Sequence, residues 1–108
     1  MTCPVYRGEV IQHTVAFRLV HPAGSAEEAE FLGTARTTLT GVPGVRDFTV
    51  SRQVSPKSPL TFQFSMVFDD DAAYAAYDAH PDHRRFVAER WVPEVAEFQE
   101  LDLVPLTD

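Results

Sequence analysis

Three observations predict an α+β fold in which a four-stranded antiparallel sheet carries helices on one face. Residues 10–20 and 60–69 alternate apolar and polar with period two. A capped helix pattern separates the first strand from the second. The element order is strand, helix, strand, strand, helix pair, strand, which is the ferredoxin-like arrangement.

The first strand is VIQHTVAFRLV. Ile11, His13, Val15, Phe17 and Leu19 share one face, while Gln12, Thr14 and Arg18 point the other way. That is a strand buried on one side. His21-Pro22-Ala23-Gly24 is a turn signal, with His21 as a turn residue. Ser25 opens a helix. Ser25 and Glu28 form an S-x-x-E capping box, each side chain satisfying a free backbone N–H of the first turn. Glu27, Glu28 and Glu30 suit the positive end of the helix dipole. Leu32, Ala35 and Leu39 recur at helical spacing beside Phe31. Gly33 within this helix costs about 1 kcal/mol against alanine. Gly41-Val42-Pro43-Gly44 stops it.

Residues 45–54, VRDFTVSRQV, are expected as the second strand, with Phe48, Val50 and Val54 on one face. Ser55 to Pro59 is a loop. Residues 60–69 form the third strand, where Leu60, Phe62, Phe64, Met66 and Phe68 fall on one face as core. Asp69-Asp70-Asp71 supplies an N-cap and favourable dipole charge for a short helix, AAYAAYDA. Pro81 breaks that helix, because the residue before a proline avoids the α conformation. It also starts the next helix at its first position, with His80 as the flanking cap residue. Phe86, Val87, Arg90 and Trp91 mark a helical face, and Pro93 ends or kinks it. Residues 97–105, EFQELDLVP, form the last strand, and its inward face stays open. Phe98 and Val104 point one way, Leu101 and Leu103 the other.

A chain of 108 residues is one domain's worth, so residues 1–108 are expected as a single domain with 1–9 as an irregular arm. With 44% hydrophobic and 23% charged residues the chain is a folder, not a disordered segment. Its apolar runs fall far short of the roughly 18 residues of a membrane span. Sixteen acidic against nine basic residues give a net charge of −7, which repels phosphate backbones and anionic lipid surfaces. Neither nucleic acid nor membrane is expected as a partner. Cys3 is the sole cysteine, so no internal disulfide or CxxC site exists, and Cys3 reads as incidental. MTCPVYRGEV lacks a basic segment followed by an apolar stretch, so a cytoplasmic location is expected. The second sheet face should carry Gln12, Thr14, Ala16, Val20, Thr61, Gln63, Ser65 and Val67. Burial against another copy would suit so mixed a surface, which predicts a two-fold homodimer.

Three stretches, IQHTVAFRLV, GVPGVRDFTVSRQVSP and YDAHPDHRRFV, resemble the stress-responsive A/B barrel (Dabb) family over about residues 9–104. The strongest piece is the His-Pro-x-His run at His80, Pro81, Asp82 and His83, combined with the first-strand histidine His13. The resemblance implies a ferredoxin-like subunit and a dimeric α/β barrel. Many members of this family have no assigned reaction. Some are polyketide cyclases that close a ring by intramolecular aldol chemistry without a cofactor. In those a first-strand histidine, a tyrosine before the His-Pro motif and the motif's second histidine line the pocket. The matching positions here are His13, Tyr77 and His83. Two further polar pocket positions differ, one holding Ala35 or a neighbour and one Phe62 or a neighbour.

The residues support such a site on their own. His13 lies amid an apolar face and needs a partner for its N–H. Tyr77 and His83 flank the Pro81 break, so both can turn toward the sheet. The expected cavity is lined by Val15, Phe17, Phe31, Leu32, Phe62, Phe64, Phe86 and Trp91. Its ligand would be a small apolar, aromatic or polyketide molecule. Aldol ring closure needs a base, a donor for the enolate or alkoxide, and a shaped pocket. His83 is expected as the base, Tyr77 as its partner or the enolate donor, and His13 as a positioning donor. No cofactor is implied. No metal is expected, since His80 and His83 lack a third ligand and the three aspartates read as cap and solvated charge. Arg84 and Arg85 read as a solvated face, with contact to a substrate carboxylate as the alternative. Two other functions fit the same residues. One is a non-catalytic stress-responsive dimer, binding a ligand or serving structurally, in which these groups only cap and pack. The other is a cofactor-free oxygenase.

Overall fold

A computed structural model describes residues 9–106, so Cys3 and nearly all of the expected N-terminal arm lie outside the described residues. The elements are β1 (Ile11–Leu19), α1 (Ala26–Thr40), β2 (Arg46–Arg52), β3 (Phe62–Phe68), α2 (Asp71–Ala79), α3 (Pro81–Phe86), a π-helical turn at Val87–Trp91, α4 (Val92–Glu94) and β4 (Val95–Leu103). The sheet order is β2-β3-β1-β4, and every neighbouring pair is antiparallel. The fold is therefore α+β and ferredoxin-like.

The period-two strands form as their patterns require. Val15, Phe17, Leu19, Phe62, Phe64, Met66 and Phe68 are buried under the helices together with Phe31, Ala35, Leu39, Tyr77 and Phe86. Phe17 sits at the centre, its ring centroid 4.6 Å from Phe64 and 5.1 Å from Trp91. Tilted aromatic pairs of this kind add to the burial of their area.

α1 begins at Ser25, whose Oγ accepts the Glu28 N–H at 3.2 Å. The reciprocal bond differs from the expected box. Glu28 reaches one residue further and accepts the Gly24 N–H, because the Ser25 N–H already donates to the Pro22 carbonyl. Gly24 holds a φ of +79°, a conformation open to glycine. Asp70 caps α2 and accepts the Ala73 N–H. His80 caps α3, its Nδ1 accepting the Asp82 N–H, with Pro81 in the first turn. Helix then runs almost unbroken from Pro81 to Glu94, widened by the π turn.

Two sequence expectations are corrected. β2 ends at Arg52, so Val54 lies beyond the sheet and is 82% exposed instead of sharing a face with Phe48 and Val50. β4 starts at Val95, two residues before the expected position. Its register pairs Phe98 with Phe17, Glu100 with Val15 and Asp102 with His13. Cross-strand partners share a face, so Phe98, Glu100 and Asp102 lie on the helix side. Leu101 and Leu103 lie on the outer face, where they are 53% and 46% exposed. The apolar period of β4 points away from the helices because its inner positions border a cavity.

Candidate functional site

The cavity has a volume of about 440 Å³, within the usual range for small-molecule pockets. It lies against β1 and β4 on one side and α2, α3 and the π turn on the other. His13, Tyr77 and His83 all reach it. The backbone explains this convergence. His13 points inward by strand alternation, 5% exposed. Tyr77 occupies the last turn of α2. The break at His80-Pro81 then redirects the chain so that His83 turns back onto Tyr77, their ring centroids 4.3 Å apart. The His13 and Tyr77 rings are 6.2 Å apart.

Each side chain is oriented by its neighbours. His83 Nδ1 lies 3.2 Å from the Asp78 carbonyl oxygen. A carbonyl only accepts, so Nδ1 carries the proton and Nε2 keeps its lone pair. Burial, opposed by the Asp78 carbonyl and the nearby carboxylates, holds the His83 imidazole below the usual histidine value. Tyr77 is 2% exposed, and its hydroxyl makes no hydrogen bond to a described residue. Burial pushes the phenol well above its ordinary value, and the charges of Asp78 and Glu100 push the same way. Tyr77 thus stays a protonated donor.

His13 is held from β4 and α2. Its Nδ1 lies 2.6 Å from Asp102 Oδ1, and the Tyr74 hydroxyl donates to Asp102 Oδ2 at 2.9 Å. Both protons point at one carboxylate, which accepts more than one bond. Burial and then Asp102 push the Tyr74 phenol above its ordinary range. On the other edge of the imidazole, Glu100 Oε2 lies 3.6 Å from Nε2.

Sequence reasoning missed Tyr74, Asp78, Glu100 and Asp102. Tyr74 carried a signal, since it stands three residues before Tyr77 on one helix face. Asp102 and Glu100 share parity with Phe98, and assigning Phe98 inward would have found both. Of the expected lining residues, Val15, Phe64, Phe86 and Trp91 line the cavity. Phe17, Phe31, Leu32 and Phe62 do not. The first two and Phe62 are consumed by the core, and Leu32 packs on its edge. Their places are taken by Leu39, Met66, Val87, Val92, Val95 and Phe98. His21 pairs with Glu94 at 2.7 Å, away from the cavity lining. No group of three metal-ligating side chains gathers among the described residues, and among them no helix is long and apolar enough to cross a membrane.

Comparison with known proteins agrees with this architecture. A Dabb family protein with a ferredoxin-like fold from Mesorhizobium loti is 50% identical, with a TM-score of 0.91, covering 92% of this chain and 99% of that one. A dimeric ferredoxin-like protein of unknown function from Thermobifida fusca is 18% identical with a TM-score of 0.72, covering 94% and 95%. A hydroxynitrile lyase from Passiflora edulis is 13% identical with a TM-score of 0.80, covering 94% and 97%. These last two likenesses are of fold alone. No curated protein matches the chain. The family model for the stress responsive A/B barrel domain matches residues 11–105, and with half the residues shared with the Mesorhizobium protein, the chain belongs to the Dabb family.

Proposed function

We propose that the cavity is a cofactor-free acid–base site acting on an apolar carbonyl compound, in the manner of a polyketide cyclase. The observation that carries this reading is the contact between His83 and Tyr77, a base and a protonated phenol on one cavity wall, whose Nε2 and hydroxyl have no hydrogen-bond partner among the described residues. His83 Nε2 removes a proton from a carbon flanked by carbonyls. The new imidazolium keeps its Nδ1–H on the Asp78 carbonyl, and the Asp78 and Glu100 carboxylates favour its charge. Tyr77 O–H donates to the enolate oxygen. The carbanion attacks a second carbonyl of the same molecule, forming the ring bond, and the resulting alkoxide takes the proton back from His83. His13, fixed by Asp102, positions the substrate. Holding the two carbons in reach contributes up to about 7–11 kcal/mol toward such a step.

The reading includes a second copy of the chain. Leu101 and Leu103 stand exposed on the outer sheet face, opposite Thr14 and Gln12 of β1, a strip of mixed polarity whose two leucines a two-fold partner would cover. The related fold from Thermobifida fusca is dimeric.

The test is turnover of aromatic triketones by the whole protein, followed by product chromatography. Ring-closed product is expected, with His83→Ala slower by about 10²–10⁴-fold. Equal turnover by wild type and His83→Ala for every triketone tried would remove the catalytic reading and leave a ligand-binding dimer.

A further inference from the structure

Beyond acid–base chemistry, the cavity has a charge of one sign. Asp78 and Glu100 line it, and its described lining contains no lysine or arginine. Asp102 stands just behind, on His13. Two arginines of the adjoining helical stretch are engaged elsewhere, Arg85 with Asp82 and Arg90 with Glu30 and Glu94. Arg84 is not among the lining residues either, so the sequence-based alternative of an arginine meeting a substrate carboxylate has no support at this wall.

A second observation points to a ligand. The Tyr77 hydroxyl opens on the same wall, on a side chain 2% exposed, and no described residue takes its proton. The rest of the surface is apolar, chiefly Val15, Leu39, Phe64, Met66, Phe86 and Trp91. Such walls focus the field of the few charges they carry. An anion entering here meets two carboxylates and no lysine or arginine among the described lining, and like-charge juxtaposition costs binding. A cation meets the two carboxylates in a cavity whose lining includes aromatic side chains, Trp91 among them, and both kinds of group attract it.

We infer that the cavity selects its ligand by charge. It takes an apolar molecule of aromatic size whose polar end is a protonated amine or another hydrogen-bond donor, and it turns away the same skeleton ending in a carboxylate or phosphate. The inference rests on the acid–base reading above, whose substrate it narrows to an apolar ketone bearing an amine or hydroxyl and no acid group.

Trp91 is the only tryptophan and lines the cavity, so its fluorescence reports occupancy directly. The experiment titrates the whole protein at neutral pH and low salt with phenylpropylamine, phenylpropanol and phenylpropanoate, one skeleton with three charges. The amine should bind at least about tenfold more tightly than the propanoate, with the alcohol between them. Added salt should shrink the ratio, because both carboxylates touch solvent. The double variant Asp78→Asn, Glu100→Gln should bring the ratio below about threefold. Both sites are exposed, and a thermal melt matched to wild type verifies the variant's fold. Equal binding of the three probes, tighter binding of the propanoate, binding of none, or an unchanged ratio in the well-folded double variant would overturn the inference. The titration involves no turnover. Charge selection can therefore fail while His83-dependent catalysis stands, and catalysis can fail while charge selection stands.

Discussion

Asp102 on β4 and His13 on β1 face each other across the strand pair, the carboxylate 2.6 Å from Nδ1. This bond decides which nitrogen meets the cavity. With the Nδ1 proton committed to Asp102, only Nε2 is left to a ligand. A carboxylate behind an imidazole fixes its tautomer and ring angle in the same way at many acid–base sites. Tyr74 ties α2 into the arrangement by donating to the same carboxylate.

That network should behave as a unit. Tyr74→Phe and Asp102→Asn are each expected to lower stability by about 1 kcal/mol. Their double variant should lose less than the sum, because the two groups share one bond partner. Denaturant melts of the four proteins measure the coupling. Strictly additive losses would mean that the tyrosine and carboxylate act independently.

The depressed His83 value has a definite pH signature. Its folded value lies below the unfolded value of about 6.5, so the unfolded chain binds the proton more readily. Stability linked to His83 is therefore complete above about pH 6.5 and is lost as pH falls through the folded value. His83→Gln should flatten that part of the stability curve. The acid limb of turnover should likewise lie below pH 6.5, where His83 gains its proton. An NMR titration of the His83 ring placing its midpoint at or above about 6.5 would contradict this.

Gly33 offers a check on the helix reading. It lies in the exposed interior of α1, and a methyl group added there meets open space. Gly33→Ala should stabilise the protein by about 1 kcal/mol, read as a raised melting temperature. A loss of stability would mean that the α1 surface is covered by something the isolated chain does not contain.

The outer sheet face should hold the dimer. Sedimentation equilibrium is expected to give twice the chain mass. Leu101→Lys, placing a charge on the strip beside Leu103, should shift the protein to the single-chain mass. A wild-type protein that sediments as one chain at micromolar concentration would remove the second copy from the account.

Legibility in the sequence followed the physics of each element. β1 and β3 were plain because one side of each is fully buried, and period two is the direct imprint of that burial. α1 announced both ends, through Ser25 and Gly41. β4 did not, because its inner face is lined by Glu100 and Asp102 instead of apolar residues. The usual rule then aimed Leu101 and Leu103 inward with as much justification as Phe98. The site divided along the same boundary. His13, Tyr77 and His83 stood out as polar groups in apolar or proline-marked settings. Two of the carboxylates around them, Glu100 and Asp102, sit on the strand whose facing is ambiguous, while Asp78 follows Tyr77 in α2. Phe17, Phe31 and Phe62 fit a cavity wall by pattern as well as they fit a core, because pattern alone does not separate a core ring from a wall ring. Only the packing of Phe17 at the centre of the aromatic cluster does so.

The most direct test of the acid–base reading needs no knowledge of the natural substrate. Benzylacetone in heavy water exchanges the protons beside its carbonyl slowly, and proton NMR follows the exchange. The protein should accelerate it, and His83→Gln should lose about 10²-fold of that acceleration with its fold intact. Exchange no faster with the wild-type protein than in buffer, or equally fast with His83→Gln, would contradict a base at His83.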